Sequence, residues 1–359
     1  MNILKKINQN DFFGIITISL FSLGVNQFYG NFGVFPHDSF SHFGTAHMIM
    51  NGFHPFKDFW IVSGPFIDYF QAFLFKLFGT SWTVYVFHAS LANLLISVST
   101  FILLRNFNLE LKKSIFYSLC LSVLAYPTSG TPFVDHHSAF FSLIGIYLIL
   151  ICIKNESKKI CFFISLFFLL GFFSKQVPSA YLAITVIPIF LSYLLLNKKN
   201  YLVLHFFYGC LFFVFLFLLF GFINGISFKD FLEQYIFYPQ SIAKSRFENI
   251  NIYLFGIIGN FKFIFISLLI LIVIKAKNFT IKNTKKLNKL FKSKDNFILL
   301  IILVSTFVFI FHQVFTRNQI FIFFLIPLIL GIASIYINRK ILNYFVLALC
   351  MFTTIKYHE

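Results

Sequence analysis

The sequence predicts an all-α, polytopic membrane protein with about 11 transmembrane helices. Of its 359 residues, 58% are hydrophobic and only 11% are charged, whereas soluble globular chains carry about 25% charged residues. The apolar residues recur in runs of roughly 17–25, the length that a helix needs to cross a bilayer core. The basic residues lie between these runs. The formal net charge of +17 therefore indicates cytoplasmic loops rather than nucleic-acid binding.

The predicted spans follow one another along the whole chain, so we expect a single transmembrane domain over 1–359. The first span follows Lys5 and Lys6 and precedes no small-residue cleavage site, which predicts an uncleaved anchor. The five Cys residues fall in apolar runs and show neither metal-ligand nor disulfide spacing, so we expect small apolar residues. The predicted spans are 12–29, 82–104, 113–130, 136–153, 160–174, 177–196, 201–223, 253–274, 297–315, 319–337 and 341–355.

One segment, Ser63 to Gly79, decides on which side of the membrane every later loop lies. It is apolar enough to suggest a span, but it carries Asp68, Gln71 and Lys76 at helical spacing. Polar residues on one face of a helix are typical of an amphipathic helix that lies in the membrane interface. If this helix is interfacial, 20 of the 29 Lys and Arg residues fall on one side, as the positive-inside rule requires.

This assignment determines on which side of the membrane each loop lies. The cytoplasmic side receives the N-terminus and the basic loop 275–296, which holds eight Lys. The other side receives eight of the twelve acidic residues, a first external loop with interfacial helices over 30–81, and a second long external loop over 224–252. We therefore predict a multi-pass protein of a cell membrane, most simply a bacterial inner or plasma membrane, with its active site outside the cytoplasm.

The first external loop contains the polar residues that directly follow a membrane span. Asp38 precedes a predicted helix over 39–51. There it either caps that helix, as Asp often does, or acts as a general base on an acceptor hydroxyl or as a metal ligand. The neighbouring His37, His42 and Asp58 are candidates for substrate binding.

A second group of polar residues, Asp135, His136 and His137, begins a predicted span on the same side as Asp38. Ionisable residues at a membrane helix are costly and are functional by default. They are candidates for catalysis (Asp135) and for substrate binding (His136 and His137), the alternative being a helix cap with interfacial His residues. Adjacent helical residues point about 100° apart, so the three cannot all bind one ion, and we predict no metal site.

Cations on the same side form a third group. Lys175 and Gln176 lie at a break between two apolar runs, and Arg317 follows another run. Lys175, Arg317 and Arg246 are candidates for binding a phosphate, for which Arg offers bidentate geometry, and Lys244 is a further cation of the 224–252 loop. Gln176 is a candidate for substrate binding. The alternative for each cation is a side chain that extends to the interface.

Several motifs are missing from the sequence. It has no P-loop, no Gly-x-Ser-x-Gly and no His-Glu-x-x-His. An enzyme of this kind would therefore take an activated substrate from the membrane rather than hydrolyse ATP itself.

The ordered motifs of the first 200 residues resemble those of the type C (GT-C) glycosyltransferases, and most closely the protein O-mannosyltransferase and lipid A aminoarabinose transferase branch. Asp38 matches the acidic motif that begins the first external loop of that family, although Ser39 stands where a Glu is usual. Gly52 to Phe59 with Gly64-Pro65, and Leu77 to Ser81, resemble two further motifs of that loop. Asp135 and Lys175 match a second external Asp and a Ser-Lys pair.

The resemblance implies a glycosyltransferase that uses a sugar linked to polyprenyl phosphate. The acceptor is then a lipid, a glycan or a protein, the other partners are membrane lipids, and a divalent cation remains an open cofactor. In this reading Asp38 deprotonates the acceptor hydroxyl while Lys175 and Arg317 bind the phosphate. The alternatives are a polytopic transporter or lipid flippase, and a polysaccharide polymerase or ligase.

Overall fold

The computed structural model describes residues 9–32, 40–126, 130–248, 253–280, 293–316 and 320–358. Within these ranges the regular structure is helical, apart from one isolated bridge between Pro55 and Phe59. The helices are α1 (Gln9–Gly30), α2 (Ser41–Met50), α3 (Pro65–Phe78), α4 (Trp82–Asn106), α5 (Leu111–Ala125), α6 (Val134–Asn155), α7 (Lys158–Ser174), α8 (Gln176–Leu196), α9 (Asn200–Ile223), α10 (Phe228–Leu232), α11 (Tyr238–Glu248), α12 (Leu254–Asn260), α13 (Lys262–Thr280), α14 (Lys294–Thr316), α15 (Leu325–Ser334) and α16 (Lys340–His358).

Seven of these helices are long and apolar enough to cross a membrane: α1, α4, α6, α8, α9, α14 and α16. The bent pair α12 and α13, with 76° between its two parts, adds an eighth if it forms one span. Helices α5 and α7, with 15 and 17 residues, and the apolar stretch Ile322–Ser334 are shorter. The structure thus agrees with a polytopic membrane protein, and the number of eleven spans stays a prediction.

The helix at the centre of the bundle is α6. Its most apolar window is 94% buried, and it packs against α4, α7, α8 and α14. Close approach to α7 depends on Gly171, because a Cβ there would lie 2.7 Å from the Ser142 hydroxyl. Helix α9, by contrast, is exposed along most of its length, as expected for a helix that faces lipid.

One end of the bundle, which we call the basic end, carries five interhelical or helix-terminal ion pairs among the described residues. Glu156 contacts Lys199 and Lys294, both at 2.8 Å. These contacts join the end of α6 to the starts of α9 and α14. The other pairs of this end are Arg105 with Asp11, Lys113 with Glu110, and Lys275 with Asp295. We predicted all of these Lys and Arg residues on the cytoplasmic side.

The segment predicted to be interfacial forms α3, a helix of only 14 residues. Its orientation differs from the expectation. Asp68 and Gln71 are fully buried, whereas Phe73 and Leu77 are exposed. Lys76 is also exposed, so it does not share the face of Asp68 and Gln71 as we predicted. The buried face of α3 therefore combines Asp68 and Gln71 with apolar residues such as Phe75, and both polar side chains find hydrogen-bonding partners inside the protein.

Two further predictions of loop structure need correction. Helix α2 begins at Ser41 rather than at residue 39, and Phe40 occupies its N-cap position without a side-chain hydrogen bond. The predicted loop 224–252 is helical over most of its length. There α10, a π-helical turn over Glu233–Phe237 and α11 follow one another directly.

Candidate functional site

The opposite end of the bundle, which we call the polar end, holds a buried ion pair between α6 and the α7–α8 break. Lys175 has extended backbone between the two helices. Its ammonium donates to both carboxylate oxygens of Asp135, at 2.8 and 2.7 Å. Only 3% of the Asp135 side chain and 20% of the Lys175 side chain are exposed. Ser138 also donates to the Lys175 carbonyl, at 3.0 Å, so α6 holds both the main chain and the side chain of this lysine.

His312, from α14, completes this cluster. Its Nε2 atom lies 3.6 Å from Asp135 Oδ1, and its side chain is fully buried. Among the described residues neither ring nitrogen of His312 has a hydrogen-bond partner, nor does Nδ1 of His136. Buried polar atoms without partners are uncommon and mark a place for a water, an ion or a ligand group. The sequence analysis did not connect His312 with Asp135.

The next cluster is a chain of hydrogen bonds that joins four elements. The Tyr126 hydroxyl lies 2.8 Å from Nδ1 of His137. Nε2 of His137 lies 3.1 Å from Nε2 of His88, and Nδ1 of His88 lies 2.9 Å from Oε1 of Gln71. With both rings neutral, donation can run from Tyr126 through His137 and His88 to Gln71. Nδ1 of His137 also lies 3.0 Å from the Phe133 carbonyl oxygen, to which it donates in the other tautomer.

The three adjacent residues at the start of α6 therefore point to different surroundings. Asp135 faces Lys175, and His137 faces Tyr126 and His88. The His136 ring instead stacks on Tyr126 at 4.7 Å and packs 4.4 Å from Phe321. Their three side chains thus have separate contacts. Within the described ranges, no group of three His, Cys, Asp or Glu side chains is placed to hold a metal.

A second buried carboxylate, Asp68, lies on α3 and pairs with α2. Its Oδ1 atom is 2.7 Å from Nδ1 of His42 and accepts a hydrogen bond from Thr45, also at 2.7 Å. Burial raises the pKa of Asp68, and the contact with His42 opposes this shift. Gly64, with φ of +79°, makes the pair sterically feasible, because a Cβ there would lie 2.5 Å from His42 Cε1 and 3.1 Å from Val134.

Sequence reasoning missed Asp68 and Gln71 as members of the site, and it did not consider His88. A signal was present in α3, where Asp68 and Gln71 share one face and Phe73 and Leu77 lie on the other. In a helix next to lipid, that pattern indicates a polar face turned to protein. His88, within a long apolar helix, offered the same signal.

The other candidate residues lie elsewhere. Exposed Asp58 accepts from the His54 amide at 2.7 Å, and Gln176 donates to the carbonyls of Val62 and Tyr235, both at 2.8 Å. Arg246 and Lys244 are exposed on α11. Asp38, His37 and Arg317 lie outside the described residues, so their predicted roles stay predictions.

Comparison with protein-family models, with curated protein sequences and with solved structures found no match to this chain.

Proposed function

We propose that this protein is a membrane glycosyltransferase that transfers a sugar from a polyprenyl-phosphate donor to an acceptor on the non-cytoplasmic face. The observation that carries the proposal is the buried cluster of Asp135, Lys175 and His312 at the polar end. Ionisable side chains at such a position are costly to keep, and they most often serve binding or catalysis. Both ring nitrogens of His312 and Nδ1 of His136 are buried and lack hydrogen-bond partners among the described residues. These atoms could bind polar groups of a substrate, which supports the proposal.

The proposed reaction is a single displacement. The acceptor oxygen attacks the anomeric carbon, the bond between that carbon and the phosphate oxygen breaks, and the phosphate leaves with the electron pair. Asp38 takes the proton of the acceptor hydroxyl as a general base, and the configuration at the anomeric carbon inverts. Cations near the leaving phosphate stabilise its developing charge, which is commonly a large contribution to catalysis.

At the polar end, the charges of Asp135 and Lys175 neutralise each other before this step. Lys175 is already paired with Asp135, so the pair holds no excess positive charge before substrate binds. As a phosphate leaves nearby, Lys175 can share its hydrogen bonds between the carboxylate and the phosphate. In that arrangement Asp135 positions Lys175 and His312 for the reaction.

Distribution of charge supports the side of the membrane that we propose. The basic end holds Arg105, Lys113, Lys199, Lys275 and Lys294, and the positive-inside rule favours such residues in the cytoplasm. The polar end then faces outward, where lipid-linked sugars serve as donors because soluble nucleotide sugars are confined to the cytoplasm.

The proposal can be tested with purified protein and a panel of polyprenyl-phosphate hexoses, pentoses and N-acetylhexosamines, scored for sugar transfer or donor hydrolysis. We expect Asp38→Asn and Asp135→Asn to lose activity by at least about a hundredfold while still inserting into the membrane. Glu110→Gln is the matched control, because it removes a carboxylate charge at the basic end. Wild-type-like transfer by Asp38→Asn would refute its role as base, and inactivity of the wild type towards the whole panel would refute the proposed function.

A further inference from the structure

A large apolar cavity lies beside the polar end, between α3, α7, α9 and the start of α10. Its volume is about 620 Å³, within the range of pockets that bind small molecules. The lining consists almost entirely of aliphatic and aromatic side chains, including Phe66, Leu170, Phe173, Phe217, Phe220 and Phe231. Phe222 and Phe228 at its edge are exposed. The polar clusters described above contribute no side chain to the lining of this cavity.

The sequences of α7 and α9 explain why the space exists. Towards the basic end the two helices touch at Gly209, where a Cβ would lie 2.1 Å from the Phe162 carbonyl oxygen. Farther along, the facing positions hold large residues such as Leu166 and Phe213, which line the cavity. A pair of helices that is close at one half and separated by bulky side chains at the other leaves a cleft.

A lysine of the first external loop lies at the edge of this cavity. The Lys57 ammonium donates to the Asn224 carbonyl at 3.3 Å, and it lies 3.5 Å from where a Cβ on Gly225 would be. The residues next to these contacts, Phe56 and Ile226, line the cavity. Lys57 is exposed, so an apolar cleft has a hydrated cation at its rim.

The rim has a second polar element. Tyr69 lines the cavity, and its hydroxyl lies 2.9 Å from Nδ1 of His54. The main-chain amide of His54 in turn donates to Asp58 at 2.7 Å. That bond turns the Asp58 carboxylate towards the backbone of its own turn, and no ion pair between Lys57 and a carboxylate occurs among the described residues.

Lys57 and Lys175 therefore differ as binders of an anion. Lys175 donates to both oxygens of a buried carboxylate, so a phosphate that binds it must compete with Asp135. Among the described residues, the acceptor of Lys57 is the main-chain carbonyl of Asn224, and an anionic oxygen is a stronger acceptor than a neutral carbonyl. The lysine at the rim is the easier one for an incoming headgroup to engage.

We propose that the cavity binds the isoprene units next to the phosphate of a polyprenyl-phosphate lipid and that Lys57 binds this phosphate at the rim. One cation at the mouth of one cleft matches a lipid with one phosphate and one chain, and the aromatic lining suits an unsaturated isoprenoid. The assignment rests on the proposed function, because it identifies where that enzyme holds its donor. In this assignment the phosphate of the donor lipid first contacts Lys57 rather than Lys175.

The test uses the full-length protein and undecaprenyl phosphate without a sugar, with binding measured by native mass spectrometry. We expect Lys57→Gln to bind this lipid at least about tenfold more weakly than the wild type, the loss of one charge-assisted hydrogen bond. Lys76→Gln is the matched control, because Lys76 is an exposed lysine on α3 that does not line the cavity. We expect it to bind within twofold of the wild type.

A second pair of variants tests the cavity independently. Gly221 lines the cavity, and a Cβ there meets no atom within 4 Å, so Gly221→Leu adds a side chain at the cavity wall from a position with open space around its Cβ. Gly24 in α1 is equally open and serves as the matched control, Gly24→Leu. We expect Gly221→Leu to weaken binding of undecaprenyl phosphate at least fivefold and Gly24→Leu to leave it unchanged.

Three results would overturn the assignment. They are unchanged binding by Lys57→Gln, equal binding of undecaprenol without phosphate, and equal or tighter binding of dioleoyl phosphatidic acid, which has two chains. Because the assay needs no sugar transfer, a protein that binds the lipid as expected but transfers no sugar refutes the proposed function alone.

Discussion

The two ends of the helix bundle hold their charged residues in opposite ways. At the basic end, Glu156 contacts two lysines while 34% of its side chain remains exposed. At the polar end, 3% of Asp135 and none of Asp68 is exposed. Water screens the charges of the first group, so each pair contributes little to stability. The carboxylates of the second group are shielded from water, so the partner side chain of each must stabilise its charge.

The comparison has one instructive exception. At the basic end, Arg105 contacts Asp11 at 2.6 Å, and only 7% of the Asp11 side chain is exposed. Arg105 also donates to the Leu109 carbonyl just beyond its own helix. This pair fastens α1 to α4, so the basic end does contain one nearly buried contact whose role is structural. Burial alone therefore does not mark a functional site; the polar end differs because several buried polar groups meet there.

The largest expected effect is on the Asp135–Lys175 pair. Lys175→Met leaves a buried carboxylate without its cation, which should lower the free energy of unfolding by about 3–5 kcal/mol. Thermal unfolding of the purified protein in one detergent measures this effect. The double variant Asp135→Asn with Lys175→Met should recover part of the loss, because no unpaired charge remains. A loss below about 1 kcal/mol would mean that water reaches this pair and that the two ends do not differ.

Asp68 should show the second largest effect. Asp68→Leu leaves the buried His42 without its carboxylate partner, which should cost about 1–3 kcal/mol, whereas Thr45 keeps the Ser41 carbonyl as an acceptor at 3.1 Å. The same carboxyl predicts a pH dependence. Its pKa is raised in the folded protein by burial, so its contribution to stability is present at low pH and is lost as the pH rises through that folded-state pKa.

Measurement of thermal unfolding against pH checks this sign. In Asp68→Asn the decrease in stability with rising pH should become smaller, because the group no longer titrates. Asp58→Asn is the control, since it changes an exposed carboxylate of the same loop. An unchanged pH profile in Asp68→Asn would mean that Asp68 does not titrate differently in the folded and unfolded states.

The smallest expected effect lies at the basic end. Glu156→Gln should change the free energy of unfolding by only about 0.2–1 kcal/mol, as is usual for exposed ion pairs. Hydrogen bonds from Lys199 and Lys294 lower the pKa of Glu156. Its contribution is therefore present at neutral pH and is lost as the pH falls through that lowered pKa, the opposite sign to Asp68. High salt should reduce it further, and an effect as large as that of Lys175→Met would contradict the comparison.

Much of the architecture could be predicted from the sequence. Long apolar runs predicted helices, and helices formed at the expected places. Polar residues within Ser63–Gly79 predicted an amphipathic helix in the membrane interface, and the structure has a helix there, α3, of 14 residues. Basic residues of the predicted cytoplasmic loops that the structure describes lie at one end, where Lys199 and Lys294 both contact Glu156.

The site was predictable only in part. Asp135, Lys175 and His42 were recognised as candidate site residues, but the contacts that they make were not predicted. Nothing in the sequence near Lys175 indicates that its ammonium binds Asp135, which lies 40 residues earlier. The same holds for His42 and Asp68, on two short helices, and for His88 and His137 on two long ones.

Hydropathy and charge are local properties that are summed over about 20 residues, so the sequence by itself determined the membrane class, the helices and the charge difference between the two ends. Partners across the bundle depend on how far each helix rotates about its axis and on which neighbour it packs against. A rotation of 100° replaces one residue by the next. Only the tertiary structure decided that α3 turns Asp68 and Gln71 inward, that Lys175 meets Asp135, and that α7 and α9 enclose a cavity with Lys57 at its rim.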